Sequence, residues 1–222
     1  MTNLHKRVLT SLIILPLSFF LILKGGYFLV FFLLSIFFVA NFELFSVFKK
    51  KATILFLDLI LILSLYFIYY LANHSISLYL LLWVIVLVIC SDIGGYVFGK
   101  IFRWKKLTKI SPNKTLSGVF GSFIFSLLSV FIANLILPKV TDIFMLNEPI
   151  IDFLDPKFFF LAIILSLVAQ AGDLTISYFK RIEKIKDTGK ILPGHGGILD
   201  RIDGLMFVVI VTFILIQINI IP

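Results

Sequence analysis

The chain has 222 residues, 60% of them hydrophobic and 14% charged, with a formal net charge of +8. A soluble domain carries about 25% charged and 45–50% apolar residues, so a water-soluble globule is excluded and an all-α polytopic integral membrane protein is expected. The basic excess gathers at the edges of apolar segments, where it sets topology and meets anionic headgroups, so it does not point to nucleic acid. Cys90, the single cysteine, lies in an apolar run and leaves no basis for a disulfide framework or a Cys-based zinc site. The chain opens on His5-Lys6-Arg7 and an apolar stretch. That stretch reads as a retained first span, because no small-residue cleavage site follows and Lys24-Gly25-Gly26 leads straight into another apolar run.

Apolar length predicts seven spans, over roughly 8–23, 27–48, 53–71, 76–91, 116–137, 158–179 and 204–221. Of the lysines and arginines, 17 fall at the N-terminus and in every second loop, against 3 (Lys24, Lys139 and Lys157) in the alternate loops. The positive-inside rule then puts the N-terminus and the basic loops in the cytoplasm and the C-terminus outside. The acidic outer segment 138–157 reads as a solvated connector. Glu43 and Asn41 in the second span and Asp58 in the third are expected to make internal polar contacts.

Chemistry concentrates late in the chain. Asp173 lies inside the sixth span, where a carboxylate costs roughly 2.5–3.5 kcal/mol and should face protein or water. Asp173, Ser177 and Lys180 recur at i, i+4 and i+7, which puts them on one helix face, extended inward by Gln170. Between Ser177 and Gly204 the apolar pattern gives way to a run of basic residues, carboxylates, a histidine and glycines. Pro193-Gly194-His195-Gly196-Gly197 supplies backbone N–H groups that can approach a phosphate, and His195 can bond a phosphate or shuttle a proton. Asp200 and Asp203, three residues apart with Arg201 between, share a face at the start of the seventh span. They suit Mg2+, an oxygen-seeking ion held by one or two carboxylates plus substrate phosphates. Lys180, Arg181, Lys184, Lys186 and Lys190 are open to a role in topology alone, and two charges of the run, Arg201 (beside Asp200) and Lys186 (beside Asp187), fit a polyphosphate.

An earlier cytoplasmic unit runs from Asp92, at the end of the fourth span, through Gly94-Gly95-Tyr96 and Gly99-Lys100 to Ser111-Pro112-Asn113-Lys114-Thr115-Leu116-Ser117-Gly118. Hydroxyls, a lysine and a glycine at a helix start suit phosphate capture, as they also suit capping.

These residues carry a resemblance. Ser177, Lys180-Arg181, Lys186-Asp187, Pro193, His195-Gly196-Gly197 and Asp200-Arg201-Ile202-Asp203 are similar to the signature of phosphatidate cytidylyltransferases, also called CDP-diacylglycerol synthases. Gly172-Asp173, Asp92…Tyr96…Gly99 and Ser111-Pro112-Asn113-Lys114-Thr115 resemble further family positions, whereas Leu116, Ser117 and Gly204 depart from the family pattern. The resemblance implies condensation of CTP with phosphatidate to give CDP-diacylglycerol and pyrophosphate, with one or two Mg2+ ions. It implies metal at Asp173, Asp200 and Asp92, and catalytic roles for Asp173, Ser177, His195, Asp200 and Asp203. Substrate binding then falls to Lys114, Thr115, Lys180, Arg181, Lys186, Asp187, Gly196, Gly197 and Arg201.

The expected organisation is one membrane unit, with N-terminal helices over 1–75 and a catalytic region over 76–222. It would sit in the cytoplasmic (inner) membrane with its site on the cytoplasmic side, open to a homodimer and in contact with the bilayer but not with nucleic acid. Two other readings are weighed. A CDP-alcohol phosphotransferase needs an Asp-Gly…Ala-Arg…Gly…Asp…Asp array that is not found. An ion or phosphate transporter would use Asp58, Asp173 and Asp203, but such proteins place broken helices near the midplane, whereas these polar residues gather at one face.

Overall fold

The computed structural model describes residues 3–108, 111–144, 151–189, 191 and 196–221. Those residues form seven helices: α1 (Asn3–Lys24), α2 (Gly26–Val47), α3 (Lys51–Ala72), α4 (Ser75–Phe102), α5 (Leu116–Ile143), α6 (Pro156–Ile182) and α7 (Leu199–Gln217). Five of them, α2 to α6, contain segments long and apolar enough to cross a membrane. In α7 the first five residues already include Asp200, Arg201 and Asp203. The all-helical, membrane-type architecture therefore agrees with the composition.

Local chemistry sets the helix ends. Gly25, at φ 64°, turns the chain between α1 and α2 in a conformation that favours glycine. Asp155 caps α6, accepting the Lys157 N–H at 2.9 Å, and Pro156 follows at the first helical position, where its missing N–H costs nothing. Thr115 caps α5, accepting the Gly118 N–H at 3.1 Å.

One boundary differs from the sequence reading. The fourth span was expected to end near 91, yet α4 runs on to Phe102 and carries Asp92, Gly94, Gly95 and Gly99 within it. Glycine is a poor helix former, but here it is a packing device. A Cβ on Gly94 would collide with the Gly121 carbonyl, and one on Gly121 with the Gly94 carbonyl and the Phe98 ring. The α4 and α5 backbones touch at these glycines, and tertiary contact overrides local propensity. Ser122 Oγ donates to the Ser91 carbonyl at 2.9 Å, and Ser91 and Ser166 share a hydroxyl hydrogen bond at 2.8 Å, tying α6 to the same pair. Between apolar helices in lipid such bonds are worth about 0.6 kcal/mol each, so close packing carries most of the cohesion.

Elsewhere aromatic side chains lock the bundle. Phe67 of α3 stacks on Phe213 of α7 at 3.9 Å between centroids. Trp83 of α4, fully buried, meets Phe153 and Phe158 at 5.6 and 5.3 Å and pins the start of α6. At the opposite end of the bundle α2, α4 and α6 finish and α5 and α7 begin, and the charged residues of the late loop and of α7 collect there.

Candidate active site

A cavity of about 480 Å3 opens at that end, walled by α4, α5, α6 and α7 and the segments joining them. Its described lining includes Asp92 and Tyr96 of α4, Lys114 and Thr115 before α5, and Gln170, Asp173 and Lys180 of α6. Asp187 of the late loop and Asp200, Arg201 and Asp203 of α7 complete it. The helical spacing read from sequence is realised: Asp173 and Lys180 both face the chamber, and Ser177 between them donates to Asp173 at 3.2 Å. Both α5 and α7 present their N-termini here, the positive ends of their dipoles.

The loop before α5 is shaped by a short antiparallel return. Lys106 bridges Thr115, the Leu107 N–H donates to the Lys114 carbonyl at 2.8 Å, and the Leu116 N–H donates to the Lys105 carbonyl at 3.0 Å. That return aims Lys114 inward, where its ammonium pairs with Asp173 at 2.6 Å. The polar loop before α5 is thus tied to the inward carboxylate of α6 by an ion pair. Thr115 lines the chamber while its hydroxyl serves as the α5 cap.

Asp200 is the most firmly held acid. Its Oδ1 accepts from Lys180 Nζ at 2.7 Å, and its Oδ2 accepts the Thr188 and Gly197 N–H groups at 2.8 and 3.1 Å. Both side chains of the Lys180–Asp200 pair are more than 90% buried. Gly196 sits at φ 89°, and a Cβ there would crowd Asp200. Asp203 faces the same space, within electrostatic reach of Asp173 and Asp92.

Other expected residues go elsewhere. Arg181 is exposed and donates to the Ile185 carbonyl at 2.8 Å, and neither it nor Lys186 lines the chamber. His195, Pro193, Gly194 and Lys190 lie outside the described residues. Asp58 is on α3 and does not line the chamber. Two residues gained importance only in three dimensions. Thr188, fully buried, binds Asp200 through its backbone, and Glu43 of α2 reaches the same loop. The sequence marked Glu43 as an internal polar contact, which it is, but the partner lies 145 residues away. A second cavity, of about 270 Å3 and almost wholly apolar, runs between α1, α2, α3, α4 and α7, and it shares Asp92 and Arg201 with the polar chamber.

The donor set suits a hard divalent ion. The described lining carries five carboxylates against three cations, so a polyphosphate entering needs added positive charge. Among the described residues no three His, Cys, Asp or Glu side chains stand ready to ligate one ion. One or two carboxylates completed by phosphate oxygens and water is how Mg2+ is usually held.

The model of the cytidylyltransferase family matches residues 51–219. A phosphatidate cytidylyltransferase of Staphylococcus haemolyticus is 39% identical over 153 residues, covering 68% of this chain and 54% of the relative. The protein of that name from Staphylococcus saprophyticus is 42% identical over 156 residues, covering 68% and 55%, and that from Helicobacter pylori 39% over 128 residues, covering 57% and 43%. The chain spans about half the length of the curated relatives it matches. With a match that takes in α3 to α7 and every described residue of the chamber, the chain belongs to the cytidylyltransferase family.

Proposed function

We propose that this protein transfers the cytidylyl group of CTP to phosphatidate, forming CDP-diacylglycerol and pyrophosphate, at the cytoplasmic face of the inner membrane. The observation that carries this reading is the meeting of a polar, charged chamber with an apolar cavity at Asp92 and Arg201. One substrate is a water-soluble polyphosphate and the other a lipid with a phosphate head, and their reacting groups must meet at such a junction.

The reaction asks little covalent chemistry of the protein. An oxygen of the lipid phosphate attacks the α-phosphorus of CTP, and that O–P bond forms as the α–β bridging P–O bond breaks. Pyrophosphate leaves with the electron pair. The nucleophile is already an anion, so catalysis is positioning and charge neutralisation. Arg201 stands where the two cavities join and suits the lipid phosphate, which its planar fork can hold by two oxygens. Lys114 and the N-terminus of α5 suit the nucleotide phosphates. Asp173 and Asp200 are assigned to hold Mg2+, with Asp92 and Asp203 beside them. Bound there, the ion would supply positive charge to offset that of the phosphates. Asp200 already accepts three hydrogen bonds, which orient it and leave roughly one of its four lone-pair positions for a metal. Ser177 orients Asp173.

The test is direct. The full chain, purified into lipid nanodiscs, is given labelled CTP, phosphatidate and Mg2+, and CDP-diacylglycerol is scored. Product is expected from the wild type, with a fall of at least about 10²-fold for Asp173→Asn while membrane insertion is unchanged. No product across a range of lipids and divalent ions would overturn the reading.

A further inference from the structure

Glu43 belongs to α2, a helix that lends no side chain to the polar chamber. It is 1% exposed. A carboxylate buried in an apolar helix persists only where donors satisfy it. The donors found here come from the two ends of the late loop. Glu43 Oε1 accepts the Ile198 N–H at 2.9 Å, and Oε2 accepts the Leu199 N–H at 3.0 Å and the Thr188 hydroxyl at 3.2 Å. The first two amides are the start of α7, where a negative charge also meets the helix dipole. Gly189 and Gly197 lie so close to the carboxylate that neither has room for a Cβ. A second tie runs the same way: the Lys49 N–H, just past α2, donates to Glu183 Oε1 at 3.3 Å.

The grip is shared with Asp200. Thr188 gives its hydroxyl to Glu43 and its backbone N–H to Asp200. Gly197 gives its N–H to Asp200, and the next two amides go to Glu43. Two carboxylates on different helices therefore hold the same two loop segments, and neither can shift without moving the donors of the other.

We infer that Glu43 is a positioning residue for cytidylyl transfer. It touches no substrate, but it fixes the loop so that Asp200 and Arg201 face the chamber. The activity part of the test rests on the function proposed above, whereas the structural part stands without it.

Hydrogen exchange is measured on the full chain in nanodiscs for wild type, Glu43→Gln and Thr188→Val, alongside kcat per folded protein. In Glu43→Gln the amides of Ile198 and Leu199 are expected to exchange faster. So are those of Thr188 and Gly197, which Glu43 does not itself bind, while α3 stays protected as the folding control. Turnover is expected to fall by about 10²-fold, the scale of a misplacement of about 1 Å. Thr188→Val, which removes only the shared hydroxyl, should lower turnover less, and it should add nothing in the Glu43→Gln background. Wild-type protection at Thr188 and Gly197 in Glu43→Gln, or unchanged turnover per folded protein, overturns the inference. A wild type with no transfer activity sinks the functional reading instead, and the exchange result then decides the latch by itself.

Discussion

Lys180 and Asp200 form a buried ion pair 2.7 Å apart, and the sense of that pair is set by what else surrounds the acid. Asp200 has two backbone donors besides the lysine, so its charge is well satisfied. Lys180→Met leaves that charge buried with its cation gone, which typically costs about 3–5 kcal/mol. The expected outcome is a large drop in the thermal midpoint of the purified protein, partly recovered in Lys180→Met/Asp200→Asn. A midpoint unchanged by the single substitution would mean that the pair is not formed in the membrane. Several roles at this scale were legible from spacing alone. Asp173, Ser177 and Lys180 had to share a face, and Asp200 and Asp203 another, because helix geometry fixes both. The partner of Glu43 was not legible, because nothing in the sequence near residue 43 refers to residues 188 to 199.

At the scale of elements, the α4–α5 contact at Gly94 and Gly121 makes a sharp demand. Side chains there would strike backbone, which cannot move aside as a flexible side chain can. Gly121→Val should destabilise the fold by about 1–3 kcal/mol, the usual range for overpacking, and should spread the chamber walls. Unfolding of the purified variant in detergent checks the first effect and loss of transfer activity the second. The cap of α6 gives a pH test. The Lys157 N–H donates to the Asp155 carboxylate and holds it below the usual carboxylate range, helped by the Lys157 charge. A carboxylate with a lowered folded pKa contributes its full stability above its ordinary unfolded value, and that contribution is lost as pH falls through the folded value. The stability advantage of wild type over Asp155→Ala should therefore be present at neutral pH and shrink in acid, as read from paired thermal midpoints. An advantage that held constant into strong acid would show that the charge plays no part.

Across the whole molecule, the apolar cavity and the polar chamber join at Asp92 and Arg201, and under the proposed function the apolar cavity is where the lipid tail would lie. Leu205 of α7 lines the apolar side. Leu205→Trp should fill space that a long acyl chain needs, and a shortfall of one or two methylenes in an apolar pocket costs about tenfold. The KM for long-chain phosphatidate is expected to rise by that factor, with the KM for CTP unchanged and short-chain phosphatidate less affected. Equal effects on both lipids would place the tail elsewhere.

Composition and apolar length by themselves determined a bundle of membrane-type helices, because long apolar segments in a chain this poor in charge leave few other solutions, although among the described residues five helices and not the expected seven are long and apolar enough to cross a membrane. Motif spacing also placed Asp173, Ser177 and Lys180 on one helix face and Asp200 and Asp203 on another, since periodicity within a helix is a local property. Only the tertiary structure decided that α4 continues through its glycines to Phe102, because a glycine's value there depends on the backbone facing it across α5. Only it could show Lys114 paired with Asp173, Asp200 held by Thr188 and Gly197, and Glu43 gripping the loop from a helix outside the chamber. Those are pairings between groups far apart in the chain, and local sequence carries no trace of which distant donor a buried carboxylate will find.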